Sequence, residues 1–292
     1  GISVALCELT APGDGVVIQT PIYPPFFQEI RHNGRRVVEN PLRETDKGYV
    51  MDLGHLRSVL TPDVKAILLC SPHNPVARVW KKEELRDLGR ICIEHDIIVI
   101  CDEIHQDLIY SDAKHVPLSL ACPELEGRMV TLVAPSKTFN IAGLRASAWI
   151  ARDKEMYRGL RSAFRRLHLG GINMFGLAAL EAAYNRGEPW LDSLMEYLEK
   201  NRDTVEQFLA SRLPQVKLKH PEGTYIFWLD FREYGLAQKE LMDVLVNRAR
   251  VAMNDGVPFG HMGEGFARLN IGCPHSQLEE GLDRIADAFG KL

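Results

Sequence analysis

Three short apolar runs limit what this chain can fold into: Lys65-Ala-Ile-Leu-Leu-Cys70, Asp96-Ile-Ile-Val-Ile-Cys101 and Met129-Val-Thr-Leu-Val133. Each has the length and branched content of a buried strand. Between the first two, Lys81 to His95 sets Leu85, Leu88, Ile91 and Cys92 on one stripe, so the spacing predicts an amphipathic helix. Strands that are apolar on both faces and alternate with helices predict a mostly parallel α/β sheet. Ligands collect at the carboxyl ends of the strands in such a sheet.

Four polar or aromatic residues fall at those ends. Tyr23 follows the short strand Val16-Val-Ile-Gln19, and Asn74 sits between two prolines in the turn Ser71-Pro-His-Asn-Pro75. Asp102 closes the third strand, and Lys137 follows the strand that Pro135 stops. Singly, each has an ordinary explanation. Tyr23 could be a packing aromatic, Asn-Pro is a common turn, Asp-Glu after a strand often caps a helix, and Ser136-Lys137 reads as solvated surface. On one rim the four fit one planar ligand. A lysine partly shielded there would have its ammonium form disfavoured and could form a Schiff base with an aldehyde. Arg145, on the same segment, could pair with a phosphate.

The remaining elements follow in order. Gly1 to Leu9 reads as a helix already under way, and a second helix passes through Phe27 and Ile30 to stop near Asn33-Gly34. Ala146 to Ile150 reads as a strand, Tyr157 to Leu167 as a basic amphipathic segment, and Asn173 to Tyr184 as an Ala-rich helix expected to pack inside. Trp190 to Leu213 predicts one long helix, ended by Pro214. Beyond it come the strand Tyr225 to Leu229, a helix from about Ala237 to Arg250, a Gly-rich loop at 255–260, the strand Phe266 to Ile271 and a last amphipathic helix. The shift in composition divides the chain into a large domain, 1–188, and a smaller α+β domain, 189–292, that includes the long connecting helix.

The 292 residues are 46% hydrophobic, enough to bury a substantial core, and the net charge of -4 offers nucleic acid or acidic membranes no general attraction. No apolar stretch is long enough to span a bilayer. The six cysteines form no C-x-x-C pair and no zinc-like cluster; Cys70 and Cys101 end apolar runs, so they read as reduced core residues, which favours the cytoplasm.

Ser136-Lys-Thr-Phe-Asn-Ile-Ala-Gly-Leu-Arg145 resembles the lysine segment of class I/II aminotransferase-like enzymes, the fold-type I family that uses pyridoxal 5'-phosphate (PLP). Asn74-Pro75, Asp102-Glu-Ile-His-Gln-Asp107 and Arg268-Leu-Asn-Ile-Gly-Cys273 match further family motifs in order and spacing. The wording Ser71-Pro-His-Asn-Pro-Val76 with Ala134-Pro-Ser-Lys-Thr-Phe-Asn140 looks most like the carbon-sulfur β-lyase branch, often called MalY/PatB. The resemblance implies that Lys137 carries the cofactor and moves the Cα proton, that Asp102 keeps the pyridine nitrogen protonated, and that Asn74 donates to the ring oxygen with His105 nearby. It also implies that Tyr23 stacks on the ring, that Arg145 and Ser136 hold the phosphate, and that Arg268 grips the amino-acid carboxylate. An inter-domain salt bridge is the other reading of Arg268. Ala134 departs from the pattern, since many relatives carry a phosphate-contacting hydroxyl there.

Members of that branch cleave cystathionine or cysteine conjugates, act on small amino acids and form homodimers. Aminotransferase activity, or a non-catalytic regulatory role on the same fold, are the alternatives. The chain begins downstream of the segment that in relatives supplies part of the phosphate loop, so the large domain is expected to be N-terminally incomplete.

Overall fold

The computed structural model of the protein describes residues 1–169 and 171–291. Helix α1 (Ile2–Leu9) leads into β1 (Gly15–Ile18), α2 (Pro25–His32) and β2 (Arg36–Glu39); a hairpin of β3 (Arg43–Thr45) and β4 (Gly48–Val50) and a short α3 (Leu53–Val59) follow. The central run is β5 (Val64–Cys70), α4 (Lys82–Glu94), β6 (Ile98–Asp102), α5 (Leu118–Ala121) and β7 (Met129–Val133). Next come α6 (Pro135–Thr138), β8 (Ala148–Ile150), α7 (Lys154–Arg166), α8 (Met174–Arg186) and the long α9 (Glu188–Arg212). The C-terminal part holds β9 (Lys217–Leu218), β10 (Ile226–Asp230), α10 (Gln238–Asp243), β11 (Asn254–Asp255), β12 (Phe266–Asn270) and α11 (His275–Phe289).

The main sheet runs β2-β1-β5-β6-β7-β8. Its pairings are parallel except the last, where β8 returns antiparallel to β7. Strand alternation sends each central strand into two cores. Ile67, Leu69, Val99 and Cys101 face the core under α4 and α5, whereas Ala66, Leu68, Cys70 and Ile100 face the one shared with α1, α2 and α7. This two-sided burial is why the strands read as unbroken apolar runs. A second, antiparallel sheet, β11-β12-β10-β9, packs against α9, α10 and α11 around Phe227, Leu245 and Leu282.

One buried charge joins the two parts. Arg78, 7% exposed, bonds Glu222 at 2.7 Å and Glu84 at 2.8 Å, donates to the Tyr49 carbonyl, and lies over the Trp80 ring. Glu222 precedes β10, and it also accepts from the Val79 amide at 2.8 Å.

Several expectations need correction. β6 starts at Ile98 rather than Asp96, because Asp96 takes a left-handed φ of 57° and the Ile97 amide returns to the Cys92 carbonyl at 2.8 Å to close α4. The helix expected to reach Arg250 is regular only to Asp243 and continues as a π turn, Val244–Arg248. α8 does not pack inside: only Gly176 is buried, and Met174 and Phe175 are 80% and 76% exposed. Its apolar residues are spread around the helix with no polar stripe opposite, so one neighbour cannot cover them.

Gly89 of α4 shows how closely the first core is packed, since a Cβ there would meet Cys122 Sγ at 2.7 Å and Leu125 Cδ1 at 2.9 Å. Gly89→Ala is therefore expected to destabilise the protein by about 1–3 kcal/mol in urea unfolding, despite the better helix propensity of alanine.

Candidate active site

The parallel register brings the site residues to one edge. Cys70 of β5 pairs with Asp102 of β6, which in turn pairs with Leu132 of β7, so the three strands end level. The segment after β5 turns at once: the Ser71 amide donates to the Asp102 carbonyl at 3.0 Å, and Asn74, 5% exposed, lies three residues on. After β7, Pro135 opens the one-turn helix α6, which carries Ser136 and the half-buried Lys137. Thr138, fully buried, donates to Asp107 Oδ2 at 2.9 Å and ties this helix to the turn that follows β6. Tyr23 is half-buried beyond β1, with its ring edge-on to Phe26.

Two clefts open at this rim. One, of about 450 Å³, is lined by Lys137, Asn140, Tyr197, Tyr225 and Asn270 among others. The other, of about 310 Å³, is lined by Tyr23, Asp102, Leu132 and Ser147. Ser136 and Arg145 line neither cleft. Arg145 closes the turn Ala142–Leu144 with a left-handed φ of 51° and is exposed.

Asp102 is 6% exposed, and its carboxylate accepts one long bond, from the Ile104 amide at 3.3 Å. Among the described residues nothing forms an ion pair with it. Burial pushes its pKa up to about 6, although the Ile104 amide and the Lys137 charge oppose the rise. His105, 3% exposed, stands edge-on to Tyr225 at 5.9 Å between ring centroids, and its Nδ1 has no partner. Burial pushes the His105 pKa down to about 3, and the charges of Lys137 and Arg268 act in the same direction. The imidazole is therefore neutral at pH 7.

Arg268 reaches the same place from β12. Its Nη1 donates to Asn74 Oδ1 at 3.1 Å and its Nη2 to Asn254 Oδ1 at 2.8 Å, over the Phe259 ring. Its Nε is buried without a partner. No inter-domain salt bridge forms on Arg268 among the described residues, which removes that reading. The structure thus links Asn74 to Arg268 by a hydrogen bond and puts Lys137, Asp102, His105 and Arg268 within one electrostatic neighbourhood.

Sequence reasoning missed three contributors. Tyr225 starts a predicted strand, and the Thr224 amide, donating to the Leu108 carbonyl at 2.7 Å, pins the loop that leaves Tyr225 lining the cleft. Asp107 stood inside a quoted motif, but its bond to Thr138 depends on tertiary contact. Asn254 lies one residue before the Gly-rich loop, and only strand pairing brings it to Arg268.

The family model described as aminotransferase class I and II matches residues 1–285. The chain is 44% identical over 289 residues to cystathionine beta-lyase PatB of Bacillus subtilis (strain 168), covering 99% of this chain and 75% of that protein. It is 35% identical to protein MalY of Escherichia coli (strain K12), covering 99% and 74%. Among solved structures it is similar to cystalysin from Treponema denticola, which contains a pyridoxal 5'-phosphate cofactor, with TM-score 0.96 and 36% identity over 99% of this chain and 74% of that one.

The raised pKa of Asp102 has a sign that can be tested. A carboxyl group that ionises at about 6 when folded and near 3.8 when unfolded costs stability progressively as pH rises from about 4 to 6. In cofactor-free protein, Asp102→Asn is expected to stabilise the fold by up to about 3 kcal/mol at pH 7.5, a gain that vanishes near pH 4, in urea unfolding at the two pH values.

Proposed function

The chain belongs to the class I and II aminotransferase family, and from that premise we propose that it is a PLP-dependent carbon-sulfur β-lyase acting on sulfur amino acids such as cystathionine or cysteine conjugates. Each turnover takes up one water and releases a thiol, pyruvate and ammonia. The observation that carries the reading is the 44% identity to a cystathionine beta-lyase over 99% of this chain.

The cofactor of this family is PLP, and the rim suits it on its own terms. A buried carboxylate without a cation, Asp102, calls for a positively charged partner such as a protonated ring nitrogen. The unpartnered Nδ1 of His105 and Nε of Arg268 are polar atoms turned toward no protein group. When bound, the cofactor supplies an aldehyde for the substrate amine and a ring that takes up electrons as the Cα proton leaves.

The chain's own residues do the rest. Asp102 holds the proton on the ring nitrogen, which offsets the cost of burying its charge. Asn74, whose Oδ1 is engaged by Arg268, has its Nδ2 left to donate to the ring oxygen. His105, kept neutral by its burial, adds no charge that would compete with Lys137. Tyr23 would cover a face of the ring, and Arg145 with Ser136 would pair with the phosphate. Lys137 Nζ would hold the aldehyde until the substrate amine displaces it, and the freed amine would then take the Cα proton, while Arg268 would hold the α-carboxylate so that this C–H bond stays within reach.

A homodimer belongs to the same reading. Leu167, Leu169, Ile172, Met174 and Phe175 are exposed apolar residues around the start of α8, and exposed apolar clusters of this kind mark surfaces for a protein partner. The division into domains 1–188 and 189–292 is supported by the second core, in which Phe227, Leu229 and Leu269 pack with α9 and α11. A cytoplasmic location is supported by six free cysteines. No helix among the described residues is long and apolar enough to cross a membrane.

Purified protein with PLP is expected to release pyruvate from cystathionine with no 2-oxo acid present, and Lys137→Ala is expected to lower that rate by at least about 100-fold. Product that forms only with a 2-oxo acid acceptor would instead make the protein an aminotransferase.

A further inference from the structure

Arg268 is a half-buried guanidinium held entirely by neutral oxygens, and strand pairing accounts for this. β11 and β12 run antiparallel with Asn254 directly opposite Arg268, a pairing that sets Cβ atoms about 4.5–5.5 Å apart. From that position Asn254 Oδ1 takes Nη2 at 2.8 Å, as Asn74 Oδ1 takes Nη1 at 3.1 Å. The Phe259 ring centroid lies 5.0 Å from Arg268 Cζ and fixes the plane from below. Asn254 is not at a loose loop end. Its neighbour Asp255 accepts from Gln238 Nε2 at 2.7 Å and from the Val257 amide at 2.9 Å, and a Cβ on Gly256 would come within 2.2 Å of the Gly263 carbonyl.

Two of five guanidinium N–H groups are thus engaged, and among the described residues no carboxylate pairs with the cation. We propose that Asn254 is a positioning residue for the carboxylate grip: it fixes the Arg268 fork through a neutral oxygen and so leaves the positive charge available for an anionic ligand. The inference rests on Arg268 being the group that binds the substrate α-carboxylate. An aspartate at 254 would hold the fork more firmly, because a charge-assisted bond is about twice as strong as a neutral one. It would also cancel the charge that draws the ligand in. One substitution therefore separates bracing from binding.

Holoenzyme is titrated with L-alanine, which has the α-carboxylate but no leaving group, and with L-alaninamide, which lacks that charge, by the change in visible absorbance. Melting temperature is measured alongside. In Asn254→Asp the Kd for alanine is expected to rise about tenfold or more while that for alaninamide stays within about twofold and the melting temperature does not fall. Asn254→Ala, which removes the oxygen and adds no charge, is expected to raise the alanine Kd about threefold to tenfold. An alanine Kd unchanged or lowered in Asn254→Asp overturns the proposal, because a residue that merely braced the strand would tolerate the acid. Wild-type protein that binds alanine and alaninamide equally would instead remove the premise about Arg268, whatever the Asn254 variants do.

Discussion

The level ends of β5, β6 and β7 are the constraint on which the rest depends. Parallel pairing of Cys70 with Asp102 and of Asp102 with Leu132 makes three separate stretches of chain emerge at one height. A slip of one residue would turn Asp102 to the opposite face of the sheet and exchange the residues facing the two cores. The two-sided apolar packing therefore guards the register of the site as well as the stability of the fold.

The rim also keeps its charges unmatched. Asp102 is buried and Arg268 half-buried, both lack an ionic partner among the described residues, and they are not bonded to each other. His105 stays neutral, because burial and then the charges of Lys137 and Arg268 disfavour its protonated form. Folding pays for this arrangement in desolvation. The cost is met by the two aliphatic cores on which the rim stands.

Much of this was legible in the sequence, and what escaped did so for physical reasons. Long apolar runs such as Lys65 to Cys70 announce central strands because burial on both faces leaves no ambiguity of type. β2, β3 and β4, four residues or fewer, are too short to carry a pattern that can be read locally. Lys137, Asp102 and Asn74 could be placed at the rim because each lies at, or within four residues of, the carboxyl end of such a strand. Asn254 and Tyr225 could not, because their positions depend on antiparallel pairing and on a loop pinned to Leu108, contacts made far along the chain. α8 misled because alanine-rich composition resembles a core helix, whereas burial depends on where the apolar residues lie around the axis.

Arg78 has a mechanical consequence. It is sealed between Glu84, on the helix over the main sheet, and Glu222, at the entrance to the second sheet. Sliding the C-terminal sheet along the rim would strand a buried guanidinium, at a cost of about 3–5 kcal/mol. Together with Trp228, Phe259 and Phe266, which pack into the core of the main sheet, Arg78 thus sets the height above the rim at which the strand carrying Arg268 is held.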